Sequence, residues 1–95
     1  MKGYWVVRAD VSDMEKFKQY AAIAPTIIDN FSGRYLARAG EFSAVEGSAR
    51  SRNTIIEFPS YQQALDCWHS VEYQGARKIR LGVAELDILI VQGLL

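Results

Sequence analysis

The sequence predicts an α+β domain in which an antiparallel sheet is built in the order β-α-β-β-α-β, the ferredoxin-like arrangement. Three observations carry this expectation. Four short runs are dense in β-branched and aromatic residues, the mark of strands. Between them lie stretches whose apolar residues recur at helical spacing. Serine caps, prolines and glycines punctuate the boundaries.

The first strand is Gly3 to Asp10, Gly-Tyr-Trp-Val-Val-Arg-Ala-Asp. Ser12-Asp13-Met14-Glu15 follows as a capping box, in which Ser12 accepts from the amide three residues on and Glu15 reaches back. Phe17, Tyr20, Ala21 and Ala24 give the helix its apolar face. Pro25, which has no amide hydrogen and crowds the preceding turn, is expected to kink or restart that helix. Gly33 stands where a helix end usually takes a left-handed residue. Arg34 to Ala39 is the second strand, and Thr54 to Phe58 the third, stopped by Pro59. Between these two, Phe42 to Val45 either restarts a strand or belongs with the Gly47 to Ser51 loop. Ser60 and Gln63 form a second capping box, opening a helix through about His69. Ser70 caps another short helix carrying Tyr73, Ala76 and Ile79, ended by Gly82. Leu86 to Val91 is the last strand. Right-handed crossovers place the strands in the spatial order fourth, first, third, second.

Ninety-five residues make a single domain, 1–95, with no room for a second. A chain this short buries only roughly 60–65% of the surface its unfolded form exposes, so a large apolar face is often completed by a partner. Eleven basic residues balance eleven acidic ones, which argues against nucleic acid or an anionic membrane as partner. No apolar run approaches the roughly 20 residues that span a bilayer, and Met1-Lys2 leads straight into a strand, so a cytoplasmic location is expected. Cys67, the one cysteine, reads as a small buried hydrophobe. With one cysteine and one histidine, no cofactor or metal site is expected. A phosphate-binding glycine loop and a nucleophile elbow are both absent, and no catalytic residue is assigned.

Alternation gives each strand two faces. Trp5, Val7 and Ala9 share one face of the first strand with the apolar sides of the others, suited to the helices. The opposite face mixes Tyr4, Val6 and Arg8 with Arg34, Leu36, Arg38, Ile55, Glu57, Asp87, Leu89 and Val91. It is too apolar for water and too charged for a dry core. A second copy of the same sheet packed across it, enclosing a partly polar cavity, accounts for both, so a homodimer is expected. Arg8 with Asp87 is an expected ion pair, as is Glu57 with Arg34 or a tyrosine hydroxyl. These charges either satisfy one another structurally or leave Arg8 or Arg38 free to hold a small organic anion through its planar fork.

Tyr4-Trp5-Val6, Gly33-Arg34-Tyr35-Leu36-Ala37-Arg38-Ala39-Gly40, Val45-Glu46-Gly47, Ile56-Glu57-Phe58-Pro59-Ser60-Tyr61, Ser70-Val71-Glu72-Tyr73-Gln74 and Ile88-Leu89-Ile90-Val91-Gln92-Gly93 together resemble the family called domain of unknown function 1330. The resemblance spans nearly the whole chain. It departs at Ser32, where the family has a second glycine, and at Val71, where the family often has proline. It implies a ferredoxin-like fold in the dimeric α+β-barrel superfamily, where two sheets pack face to face. That superfamily includes cofactor-free monooxygenases, muconolactone-type isomerases and haem-binding proteins, and fold alone transfers none of these activities.

The ligand-binding candidates are therefore Tyr4, Arg8, Arg38 and Glu57 on the charged face, with His69 and Tyr73 at its rim. His69 lies at a helix end, where the dipole favours its cation; it is either a solvated structural residue, or a general base or haem ligand. Tyr73 either packs in the first turn of its helix or presents its hydroxyl beside Arg80, seven residues on and on the same face. Function divides accordingly. One reading is a small-molecule cleft with cofactor-independent oxygenase or isomerase chemistry. The other is a non-catalytic dimeric binding or regulatory module.

Overall fold

The computed structural model describes residues 1–95. The elements are β1 (Gly3–Val11), α1 (Met14–Asn30), β2 (Arg34–Arg38), β3 (Arg52–Phe58), α2 (Tyr61–His69), α3 (Val71–Arg80) and β4 (Ala84–Gln92). All strand pairs are antiparallel and the sheet order is β2-β3-β1-β4, as the crossover rule requires. The fold is the ferredoxin-like α+β arrangement. Its extents of 36 × 34 × 16 Å are those of a two-layer slab, with helices on one face of the sheet and none on the other.

The core lies between the layers. Trp5, Ile56 and Phe58 from the sheet meet Ile28 from α1, Ala64 and Cys67 from α2, and Tyr73 from α3. The Trp5 ring packs edge-on against Tyr73 and Trp68 at centroid separations of 4.9 and 6.0 Å, and tilted against Phe58 at 5.4 Å. Its indole N–H donates to the Ala64 carbonyl at 2.9 Å, so no buried donor is stranded. Cys67 is fully buried, and burial, with a smaller effect of Glu72, pushes its thiol up to about 12. It is inert packing.

Both serine caps in the second half form: Ser60 accepts from the Gln63 amide and Ser70 from the Tyr73 amide, each at 3.1 Å. The first helix starts differently from the expectation. Asp13, not Ser12, is its cap, accepting from the Lys16 amide at 3.1 Å. The Ser12 hydroxyl is drawn off to the Val83 carbonyl, which also takes the Ser12 and Asp13 amides. Pro25 does not end the helix, because Met14–Asn30 runs through it.

The left-handed residue after α1 is Ser32 (φ 64), not Gly33. Gly33 is needed for room. A β-carbon there would lie 2.7 Å from both Ile28 Cγ2 and Phe58 Cε1, inside the core. Ser32 thus occupies a strained position that suits glycine. The two neighbours should respond oppositely to exchange with small residues. Gly33→Ala is expected to destabilise by about 1–3 kcal/mol through overpacking. Ser32→Gly should gain up to about 1 kcal/mol by relieving the left-handed strain. Chemical denaturation of both variants measures this, and equal losses would show that the turn is not strained.

Candidate functional site

Three expected residues lie on the uncovered outer face of the sheet. Tyr4, opposite Glu57 in the register, donates to Glu57 Oε2 at 3.3 Å, and Arg34 Nε donates to Oε1 at 3.0 Å. Lys2 Nζ stands 3.6 Å away. The expected pairing of Glu57 is present with both kinds of partner. Partial burial pushes the Glu57 carboxyl up, but Arg34, Lys2 and the Tyr4 hydroxyl together hold it below the ordinary carboxylate value. Burial and the Glu57 charge in turn raise the Tyr4 phenol.

The expected Arg8–Asp87 pair does not form, although the two residues face each other in the register. Arg50, from the irregular segment 39–51, takes Asp87 instead at 2.8 Å, with Asp10 at 2.9 Å and Glu85 at 3.3 Å. A side chain arriving from above meets all three carboxylates, which a cross-strand arginine lying in the sheet does not. The hydrogen bonds to Asp87 and Glu85 outweigh desolvation and hold the Arg50 guanidinium charged. Arg8 donates to the Ser48 carbonyl at 2.8 Å, so the segment is strapped across the outer face from two points. The segment contains no strand at Phe42 to Val45.

Arg38 is the main correction. Alternation places it on the outer face with Arg8, but the β2–β3 register slips between Tyr35 and Ala37. Tyr35 opposes Ile56, Ala37 opposes Ile55, and Arg38 opposes Thr54, on the helix side. One inserted residue turns every later side chain to the other face. Arg38 then lies over the Tyr35 ring, Cζ 4.8 Å from its centroid, and donates to the Ala21 carbonyl at 3.2 Å. That carbonyl is the one four residues before Pro25, left without its helical donor because proline has no N–H. Arg38 therefore closes the gap that Pro25 opens, and α1 continues.

Arg52, at the start of β3, comes to the same place. Its Cζ sits 5.3 Å from the Phe17 ring centroid, and it makes no hydrogen bond or ion pair. The two guanidiniums border a small cleft of about 60 Å³ between α1 and the sheet, whose walls include Phe17, Tyr20, Tyr35 and Thr54. Neither Arg38 nor Arg52 has a carboxylate partner. Arg52 was legible: it shares strand parity with Thr54, Ile56 and Phe58, so starting the third strand two residues earlier puts it on the helix face.

Behind this cleft the hydroxyls of Tyr20 and Tyr73 are 2.8 Å apart, and Arg80 Nη2 donates to Tyr73 at 3.2 Å. Tyr73 is fully buried, so it is not at a rim, but its expected proximity to Arg80 is observed. Arg80 is only 4% exposed and has no carboxylate partner; its Nε has no partner at all. The expected apolar residue of this turn, Ile79, is only half-buried, while Arg80 points in. His69 is exposed at the end of α2, makes no hydrogen bond and borders no part of the cleft. It joins none of the other candidates. The six expected residues are thus divided among the outer face (Tyr4, Arg8, Glu57), the helix-side cleft (Arg38), the core (Tyr73) and solvent (His69).

Fold and site together define a ferredoxin-like α+β domain with a cation-bordered cleft between its helices and sheet. The chain matches the model of the domain of unknown function DUF1330 over residues 2–94 and belongs to that family. No curated protein matches it in sequence. Among solved structures it is similar to a protein of unknown function from Rhodopseudomonas palustris, with TM-score 0.78 and 12% identity over 98% of this chain and 82% of the other. A protein from Bacteroides fragilis, described as dimeric and ferredoxin-like, superposes with TM-score 0.61 and 14% identity, covering 97% and 96%. A Nitrosomonas europaea protein proposed to be an antibiotic biosynthesis monooxygenase gives TM-score 0.56 and 10% identity, covering 98% and 90%. At these identities the likeness establishes the fold.

The Glu57 cluster has a pH signature. Its folded carboxyl titrates below the unfolded value of about 4.3, so its stabilisation is fully present above that pH and is lost as pH falls through the folded value. Thermal unfolding followed from neutral to acid pH should show the melting temperature falling below about pH 4. Glu57→Gln should melt lower at neutrality and lose less on acidification. An acid limb identical in the two proteins would exclude Glu57 as its source.

Proposed function

We propose that this protein works as a homodimer that binds a small planar organic anion, such as a phenolate, enolate or aromatic carboxylate, in the cleft between α1 and the sheet. The observation that carries this is the pair Arg38 and Arg52: two guanidiniums at an apolar cleft, each resting on an aromatic ring and neither neutralised by a carboxylate. A planar cation over a ring leaves its edge donors free, and that fork suits a carboxylate or enolate edge. About 60 Å³ is less than the roughly 150 Å³ of a cavity that takes up benzene, so ligand entry requires the Arg52 side chain to swing off the Phe17 ring while Arg38 stays anchored on the Ala21 carbonyl. The contact released is worth only about 0.5–1 kcal/mol at an exposed site, a small cost against a charge-assisted hydrogen bond.

The dimer half of this reading rests on the outer face. Ile55, Leu89 and Val91 there are 39–56% exposed, beside the Glu57 cluster and the Arg50 clamp. A second sheet laid across them buries the apolar groups, and the charges are already matched within each subunit. That matching gives Tyr4 and Glu57 a structural role and moves the ligand to the helix side. The B. fragilis relative's description as dimeric supports the assembly. The N. europaea neighbour is described as a proposed antibiotic biosynthesis monooxygenase, and in oxygenase or isomerase chemistry on this chain an arginine pair would stabilise the enolate or phenolate form of a substrate. A binding module without catalysis uses the same cleft, and turnover assays on bound compounds separate the two.

Thermal-shift and calorimetric screening of phenols, aromatic carboxylates and lactones should identify ligands whose affinity falls at least about tenfold in Arg38→Ala and Arg52→Ala. Ligands that bind these variants unchanged would overturn the cleft assignment. Sedimentation should show a dimer that Leu89→Glu dissociates, whereas a wild-type monomer at high concentration would exclude the assembly.

A further inference from the structure

We infer that Tyr20 is the hydrogen-bond donor of the cleft, presenting its O–H to an anionic or carbonyl oxygen of the bound molecule. This rests on the cleft being the ligand site. The argument is a count of protons. Tyr20 and Tyr73 carry one hydroxyl proton each, and a single bond of 2.8 Å joins their oxygens. That bond uses one of the two protons. Arg80, which donates to the Tyr73 oxygen at 3.2 Å, has no acceptor to offer either of them. No other acceptor in the protein meets either hydroxyl, so one O–H is left over.

Burial decides whose it is. Tyr73 is fully enclosed, and a free O–H there would be a stranded donor, costing about as much as a lost buried hydrogen bond. Tyr20 is only half-buried and forms part of the cleft wall with Arg38 and Arg52. The chain of bonds therefore runs Arg80 to Tyr73 to Tyr20, the one of the three that lines the cleft, and the leftover proton is that of Tyr20. Burial, with the neighbouring Tyr73, raises the Tyr20 phenol above its ordinary value, so it stays protonated and acts as a donor rather than a base. Arg80 is the fixed end of the chain. Its charge, packed 5.4 Å from the Tyr20 ring centroid with no carboxylate to absorb it, polarises both hydroxyls in the same sense.

The ligand class follows: an oxyanion or carbonyl oxygen at Tyr20, with negative charge reaching Arg38 and Arg52 at the mouth. The test uses 4-nitrophenolate, whose visible absorption moves to shorter wavelength when its oxygen accepts a hydrogen bond, at a pH where it is ionised. Bound to the full chain, it should absorb at shorter wavelength than when bound to a protein that lacks the Tyr20 hydroxyl. Tyr20→Phe, which removes one oxygen from a cleft wall, should weaken binding about tenfold and abolish the shift. Tyr73→Phe should keep the shift, because the Tyr20 proton remains free. If Tyr20→Phe retains both affinity and shift while Arg38→Ala loses binding, Tyr20 is not the donor and the cleft assignment stands. If 4-nitrophenolate binds the wild type and Arg38→Ala equally, or binds neither, the cleft assignment falls and the role of Tyr20 with it.

Discussion

The contact on which the structure turns is the seating of Trp5 between the layers. Its ring touches Phe58 of β3, Trp68 of α2 and Tyr73 of α3, and its N–H is bonded to Ala64 of α2. One side chain from the central strand therefore fixes where both short helices sit. Tyr73, held edge-on at 4.9 Å, is brought by the same contact to Tyr20 of α1. In a chain of this size, with few buried residues to spare, a large aromatic at the crossing of four elements supplies area and orientation at once. The polar triad behind the cleft is thus a by-product of core packing: whatever holds Trp5 also holds the Tyr73 hydroxyl.

Strand and helix order, strand order and two of the three helix caps were legible in the sequence because each depends on local pattern. The helix-side face of β1 and β3 was legible for the same reason. What was not legible is what one residue of slippage changes. The β2 bulge has no glycine or proline to announce it, and Tyr35-Leu36-Ala37-Arg38 alternates as cleanly as a regular strand. Its effect is nonetheless total for Arg38, which changes face and contacts. Ser12 failed as a cap for a related reason. Its hydroxyl had a tertiary alternative, the Val83 carbonyl, that no local motif contains. The Arg8–Asp87 pairing was right in register and wrong in partner, because Arg50 arrives through a segment with no periodic pattern to place it.

Pro25 and Arg38 illustrate how two apparent irregularities cancel. A proline in the interior of a helix removes one hydrogen bond and typically costs about 3 kcal/mol. Here the orphaned Ala21 carbonyl faces the sheet, and the bulge in β2 delivers a guanidinium to it. Without the bulge Arg38 points to the other side and the carbonyl is bare; without the proline the carbonyl is already occupied. The arginine spends one donor on this task and keeps the remainder of its fork. A structural duty therefore does not compete with ligand binding at Arg38. It anchors one nitrogen and leaves the others pre-oriented, which lowers the conformational cost of recognition.

The same logic separates the two charged regions of the molecule. On the outer face, carboxylates and cations are present together: Glu57 meets Arg34 and Lys2, and Asp10, Glu85 and Asp87 meet Arg50. Such a surface can be covered by another subunit with little stranded charge, since these ions bring their counterions and Arg8 is bonded to the Ser48 carbonyl. On the helix side Arg38, Arg52, Arg77 and Arg80 have no acidic group paired with any of them. Rings of Tyr35, Phe17 and Tyr20 carry part of that charge, at contacts of 4.8–5.4 Å, but a quadrupole does not replace an anion. Of these arginines, Arg38 and Arg52 border the cleft between α1 and the sheet, so unpaired positive charge stands beside a cavity there. In the proposed reading, a bound anion supplies the counterion that Arg38 and Arg52 lack.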